Sequence, residues 1–309
     1  MGVYPCPHSI IMENIITIKD KRYPELLRKI GKEAPEKLYY KGDWPIDTAQ
    51  GKDDIFENCL AVVGSRRLTS YGRKITEQLV TEIAAAGVTI VSGFMYGGDE
   101  VAHEAAVEVG GKTIAVMPCG IDIIHPEYQE ELYNEILEKN GLIISEFEGN
   151  FPPAPWTYPK RNRIVAGLSK TVLIVEAGLN SGTLITAEYA KKFGRKIFAV
   201  PGPITSEVSK GTTKLIKEGA EIATSAKDIL DFYKIIPSKE LGEDSPRQIS
   251  SRLKDDLEKN IFEQLRKEPL EADNLARLLG TSVSKIGTTL SLMQLKGFIN
   301  QEGGKYYVN

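Results

Sequence analysis

At positions 60–72 the chain reads LAVVGSRRLTSYG. Its first four residues are all apolar, as in a strand buried on both faces. Gly64 follows at once, then Ser65, Arg66 and Arg67. From Tyr71 to Ala86 the apolar residues Ile75, Leu79, Val80, Ile83 and Ala84 recur at helical spacing and share a face. Gly87 then suits the left-handed position past a helix end.

The same alternation continues downstream. VTIVSG (88–93) is strand-like, EVAHEAAVEV (100–109) helical and KTIAVMP (112–118) strand-like. After a helix at about 127–139 come the strand-like runs LIISE (142–146), TVLIVEA (171–177) and KIFAVPG (196–202). Helical candidates lie at Leu184–Phe193 and Thr212–Glu218. Apolar strands alternating with helices predict an α/β fold: an extended Rossmann-like, doubly wound, mainly parallel sheet. A (β/α)8 barrel would need more strands than these.

Residues 1–55 mix short apolar runs with proline and charge, and are expected to form a lead-in subdomain packed on the core. Within them Tyr23, Pro24, Leu26 and Leu27 suit a short helix, and LYYKGDW (38–44) a strand ending in a turn. Residues 56–236 form the Rossmann-like domain. PSKELGEDSPRQISSRLK, residues 237–254, is polar and reads as a linker. Residues 255–309 then show helical patterns at Leu257–Arg266 and Ala272–Leu279. A third helix follows with Ser282 as N-cap, and then a hairpin turning at Glu302-Gly303-Gly304. Three helices and a hairpin outline a winged-helix-like domain. Its eight Lys/Arg in residues 253–309 are balanced by eight Asp/Glu, and its third helix offers only Lys285 and Lys296. That is few phosphate partners for gripping duplex DNA.

The 309 residues carry a net charge of −3, which excludes a surface coated in positive potential but allows a local basic groove. Cys6, Cys59 and Cys119 are far apart and lack metal spacing, which suits a reducing cytoplasm. No apolar run approaches the roughly 20 residues needed to span a bilayer. A cytoplasmic protein is expected, with no metal, no cofactor and no membrane partner. His8, His103 and His125 form no catalytic order. Asp99 and Glu176 sit at strand ends, where they could act as bases or hold loops through backbone N–H groups.

In an open α/β sheet, ligands bind outside the carboxyl ends of the strands. Three glycine loops fall there: GSRRLTSYG (64–72), SGFMYGGDE (92–100) and GLNSGTLITAE (178–188). Each leads into a helix whose first N–H groups could hold an anion. Gly64, Gly93, Gly97 and Gly182 allow close approach, and Ser65, Ser181 and Thr183 supply hydroxyls. None is a standard nucleotide fingerprint. YPKRNRIVAGLS (158–169) adds Lys160, Arg161 and Arg163 in a loop at the edge of the strand TVLIVEA. A solvated charge cluster is one reading and a phosphate clamp the other. Asn162 could hydrogen-bond a base edge or fix the loop, while Trp156 and Tyr158 offer stacking faces.

Taken in order, YPELL (23–27), LYYKGD (38–43), VGSR (63–66), SGFMYGGD (92–99), PKRNRIVAGLS, VEA-x-x-x-SGTLITA (175–187), VPGP (200–203) and SKGTTKLIKEGA (209–220) resemble the DprA/Smf family of DNA-processing proteins of natural transformation. The resemblance implies a domain that binds single-stranded DNA, dimerises and helps load RecA. A single-strand-binding protein is a further candidate partner, and no enzyme activity is implied. It also implies an anion pocket holding Arg66, Lys160, Arg161 and Arg163, shaped by Gly64, Ser65, Gly93, Ser181, Gly182 and Thr183. Four such cations would give a salt slope near about −3. Tyr96 stands where the family usually has arginine, and could stack on a base instead. Thr213 stands for a usual asparagine, and no counterpart of the N-terminal helical domain of many members is read. The alternative is a nucleotide-binding or phosphoribohydrolase-like enzyme of the related Rossmann-like superfamily. Those enzymes carry PGG-x-GT-x-x-E where this chain reads LNSGTLITAE. A scaffold with a vestigial pocket is a third reading.

Overall fold

The computed structural model describes residues 14–45, 54–235, 255–296 and 298–308. Cys6, His8 and the expected linker 237–254 lie outside them. The described residues fall into two compact units, one on each side of residues 236–254.

The first unit is built on one sheet. Its elements run β1 (Ile15–Thr17), α1 (Glu25–Arg28), β2 (Lys37–Lys41), β3 (Cys59–Val63), α2 (Ser70–Ala85), β4 (Thr89–Ser92), α3 (Gly98–Glu108), β5 (Thr113–Gly120) and α4 (Glu130–Glu138). There follow β6 (Leu142–Phe147), α5 (Thr157–Leu168), β7 (Thr171–Ile174), α6 (Thr183–Lys192), β8 (Lys196–Ala199), α7 (Lys210–Lys217), β9 (Glu221–Ile222) and α8 (Ala226–Tyr233). The nine strands take the order β1-β2-β6-β5-β4-β3-β7-β8-β9. The ladders from β6 to β9 are parallel, while β1 and β2 add antiparallel. The expected lead-in subdomain is thereby corrected: β2 pairs directly with β6, so these residues extend the main sheet.

Alternate side chains explain the unbroken apolar runs. Ala61 and Val63 face a core shared with Ile164, Val165 and Ala187, while Leu60 and Val62 face one shared with Leu79, Val80 and Ile83. Helices thus cover both faces, and every strand residue of β3 and β4 is buried.

The sequence leaves α5 unread. Pro159 sits in its first turn, where a missing N–H costs nothing. Gly167 lets the helix lie against α1, since a Cβ there would come within 2.7 Å of Leu27. The segment carrying Lys160, Arg161 and Arg163 is therefore a helix and not a loop.

The second unit has α9 (Asp256–Leu265), α10 (Ala272–Leu279), α11 (Val283–Leu295) and a hairpin of β10 (Ile299–Glu302) and β11 (Lys305–Val308). Ile261, Phe262, Leu275, Ile286, Leu290 and Ile299 form its own core. Ser282 caps α11 by accepting the Lys285 N–H. Gly303 and Gly304 have φ of 57° and 81°, the left-handed pair that a two-residue hairpin turn requires.

Candidate nucleic-acid interface

The strand order reverses direction at β3, with β4 on one side and β7 on the other. A cleft of about 960 Å³ opens outside the carboxyl ends of these strands. This is where a doubly wound sheet places ligands.

Close backbone approach builds the cleft floor. Gly64 and Gly98 touch, and a Cβ on Gly98 would lie 2.5 Å from the Gly64 Cα. Gly97 has φ of 88°, and a Cβ there would meet the Ser65 carbonyl at 2.4 Å. Thr183 Oγ1 donates to the Gly64 carbonyl at 2.9 Å, tying the third loop to the first. Asn162 joins α5 to the same loop: its Oδ1 accepts from Arg161 Nε at 3.2 Å and its Nδ2 donates to the Gly182 carbonyl at 3.4 Å. These two bonds fix the loop beside the cleft.

Helical periodicity separates the three cations of α5. Tyr158, Arg161, Asn162 and Val165 share a face and line the cleft. Arg161 is only 4% exposed. Its guanidinium donates to the Val116 carbonyl at 2.5 Å and lies 3.8 Å from the Asp99 carboxylate. Burial raises the pKa of Asp99 and lowers that of Arg161, and their mutual attraction opposes both effects. Gly93 makes room for this pair, since a Cβ would lie 2.1 Å from Asp99 and 2.2 Å from Arg161.

Lys160 and Arg163, three residues apart, face the other way. Both reach Glu146, at 3.2 Å and 2.6 Å. Arg163 is buried, while Lys160 sits over the Phe147 and Trp156 rings, 5.1 Å and 5.8 Å from their centroids. Neither lines the cleft. The four-cation pocket expected from the sequence is corrected to this extent.

The free charge belongs to the first loop. Arg66 and Arg67 are exposed, line the cleft and have no carboxylate partner among the described residues. The Arg66 guanidinium lies over two rings, 5.6 Å from the Tyr96 centroid and 5.0 Å from that of Tyr158. His125 Nε2 in turn lies 2.8 Å from the Tyr158 hydroxyl.

Most loop amides are already committed. Gly97 N–H goes to Glu100, Gly98 N–H to the Ser65 carbonyl and Thr183 N–H to Ser181 Oγ. Thr69 N–H goes to Glu176. The amides of Ser65, Arg66 and Gly182 find no acceptor among the described residues. So the helix starts are less open to an anion than the sequence implies.

Asp99, in the first turn of α3, and Glu176, just past β7, both hold structure. Glu176 accepts from Thr69 N–H at 3.0 Å and Thr69 Oγ1 at 2.5 Å, fixing the start of α2. Buried His103 lies 2.7 Å from the Gly93 carbonyl and 2.7 Å from Thr113 Oγ1, pinning the second loop. Sequence reading missed Gly98, for which the signal was its doublet with Gly97. It also missed Glu146, which nothing in the linear pattern connects to α5.

Residues 14–234 match the family described as DNA recombination-mediator protein A, and residues 244–305 match the DprA winged helix domain. The chain belongs to the DNA recombination-mediator protein A family. Protein Smf of Escherichia coli K12 is 39% identical over 253 residues, covering 80% of this chain and 67% of that protein. DNA processing protein DprA of Streptococcus pneumoniae R6 is 39% identical over 214 residues, covering 69% of this chain and 72% of that protein. The X-ray structure of the Streptococcus pneumoniae protein superposes with a TM-score of 0.65 at 38% identity, covering 72% of this chain and 74% of that one. DNA processing protein A of Helicobacter pylori, a structure described for its single-stranded DNA binding mode, gives a TM-score of 0.61 at 32% identity, covering 72% and 97%. The fold and the C-terminal winged helix expected from the sequence are those of this family. Among the described residues, no helix is long and apolar enough to cross a membrane.

Proposed function

We propose that this chain binds single-stranded DNA in the cleft at the β3–β7 switch point and mediates recombination from there. Arg66 and Arg67 carry the reading: among the described residues they have no carboxylate partner, and they stand beside the Ser65, Arg66 and Gly182 amides, which find no acceptor there, with tyrosine rings at hand. Charge that follows a backbone and rings that stack on bases suit a single strand without demanding a sequence. The relative described for single-stranded DNA binding supports the same use of this fold.

The expected clamp of four cations gives way to two in the first loop, with Arg161 neutralised by Asp99. At about −0.7 per contact the salt slope is then about −1.4. Family membership further supports a cytoplasmic homodimer that helps load RecA, with a single-strand-binding protein as a further candidate partner. No catalytic step is assigned, because Asp99 is engaged by Arg161 and Glu176 by Thr69.

Fluorescence anisotropy with labelled single-stranded and duplex DNA tests the reading. Preferential binding of the single strand, competed by unlabelled strands of any sequence, is the expected result. Equal binding of both forms, or none at low salt, would overturn it.

A further inference from the structure

Tyr96 is 41% exposed although it stands at the mouth of the cleft. Its ring and that of Tyr158 both face the flat guanidinium of Arg66. No carboxylate holds Arg66 there among the described residues; only the faces of two aromatic rings do. A cation–π contact at an exposed site is weak. A phosphate is a stronger partner for an arginine. When a phosphate draws Arg66 away, both tyrosines lose the planar group they face, and another planar group gains by taking its place.

Resting on the reading that a single strand occupies this cleft, we propose that Tyr96 and Tyr158 form a nucleobase-stacking position, with Arg66 leaving the rings for the adjacent phosphate. Asn162 is tied to Arg161 and to the Gly182 carbonyl and steadies the loop beside the rings. An aromatic ring takes any base by its face. It makes the protein a reader of bases as well as of backbone charge, and Tyr96 is the residue that decides this.

The test compares an oligothymidylate with an abasic oligomer of equal length, which keeps every phosphate and lacks every base. The unaltered chain should bind the oligothymidylate about fivefold more tightly, the low end of stacking by one base. Tyr96→Ala should lose about that factor on oligothymidylate and nothing on the abasic oligomer. Tyr96→Phe should restore the difference. Tyr96→Arg should steepen the salt slope by about 0.7 while erasing the base dependence. Because Tyr96 is exposed, unchanged thermal melting separates these effects from misfolding. Equal affinity of the unaltered chain for both oligomers, or an equal loss on both in Tyr96→Ala, would overturn the stacking position and leave the cleft's DNA binding standing. Binding of neither oligomer at low salt would instead remove the functional reading, and the stacking position with it.

Discussion

Arg161 and Arg163 are two residues apart, yet they serve different ends because a helix turns them to different faces. Arg163 satisfies the buried side of Glu146, and breaking such a pair strands a charge. Arg163→Ala should therefore cost about 3 kcal/mol in urea denaturation, with the salt slope of DNA binding unchanged. A variant of full stability and weakened binding would return Arg163 to the cleft. Lys160→Ala, half-exposed, should shift stability by less than about 1 kcal/mol. These residues could be found in the sequence, but their division could not. Read as a loop, all three cations can converge; read as a helix, positions 160 and 163 pair and 161 parts from them. His103 makes a second prediction. Burial lowers its pKa to about 4 from the ordinary 6.5. As pH falls, the unfolded chain takes up this proton first, so stability present above pH 6.5 is lost towards pH 4. The loss is on the order of 3 kcal/mol. Melting of His103→Asn against the unaltered chain should show a shallower decline across that window. Parallel declines would mean that His103 is not held neutral.

The elements that were legible are those whose burial leaves a pattern. β3 to β8 are largely apolar because helices cover both faces, and α2 shows its stripe because only one side meets the core. β1 and β9, of three and two residues, are too short to carry a period. α5 hides for another reason: its first half mixes proline with paired charges, and its apolar half includes the glycine that fits against α1. The cleft loops were visible as glycines after strands, but which glycines touch was not. Gly98→Ala tests that contact. Its Cβ would meet the backbone of Gly64, which has no side chain to move aside. We expect a stability loss of about 1–3 kcal/mol, measured in urea, together with weakened single-strand binding. Gly182→Ala, with open space at its Cβ position, should keep its stability. If both variants behave alike, the close approach of the first two loops is not what shapes the cleft.

Across the whole chain, charge is placed sparingly. The winged-helix unit exposes Leu278, Val283 and Leu292, and Lys296 is paired with Glu258 at 2.6 Å. Lys259 and Arg266 are likewise paired with Asp256 and Glu263, and the rest of its cations are balanced in number by its carboxylates. Deleting residues 240–309 should leave single-strand affinity within about twofold and the salt slope unchanged, as anisotropy would show. A large loss would mean that the second unit carries DNA contacts of its own. The sequence forecast this economy from its balance of charges, but overcounted the cations of the cleft because ion pairing depends on the fold. We propose that Arg66 and Arg67 supply the positive charge that a single strand meets. The most direct measurement of this is the salt dependence of oligothymidylate affinity in the unaltered chain and in the Arg66→Ala/Arg67→Ala double variant. A slope of about −1.4 should fall close to zero in the double variant, with melting unchanged. A double variant that keeps both the affinity and the slope of the unaltered chain would contradict it.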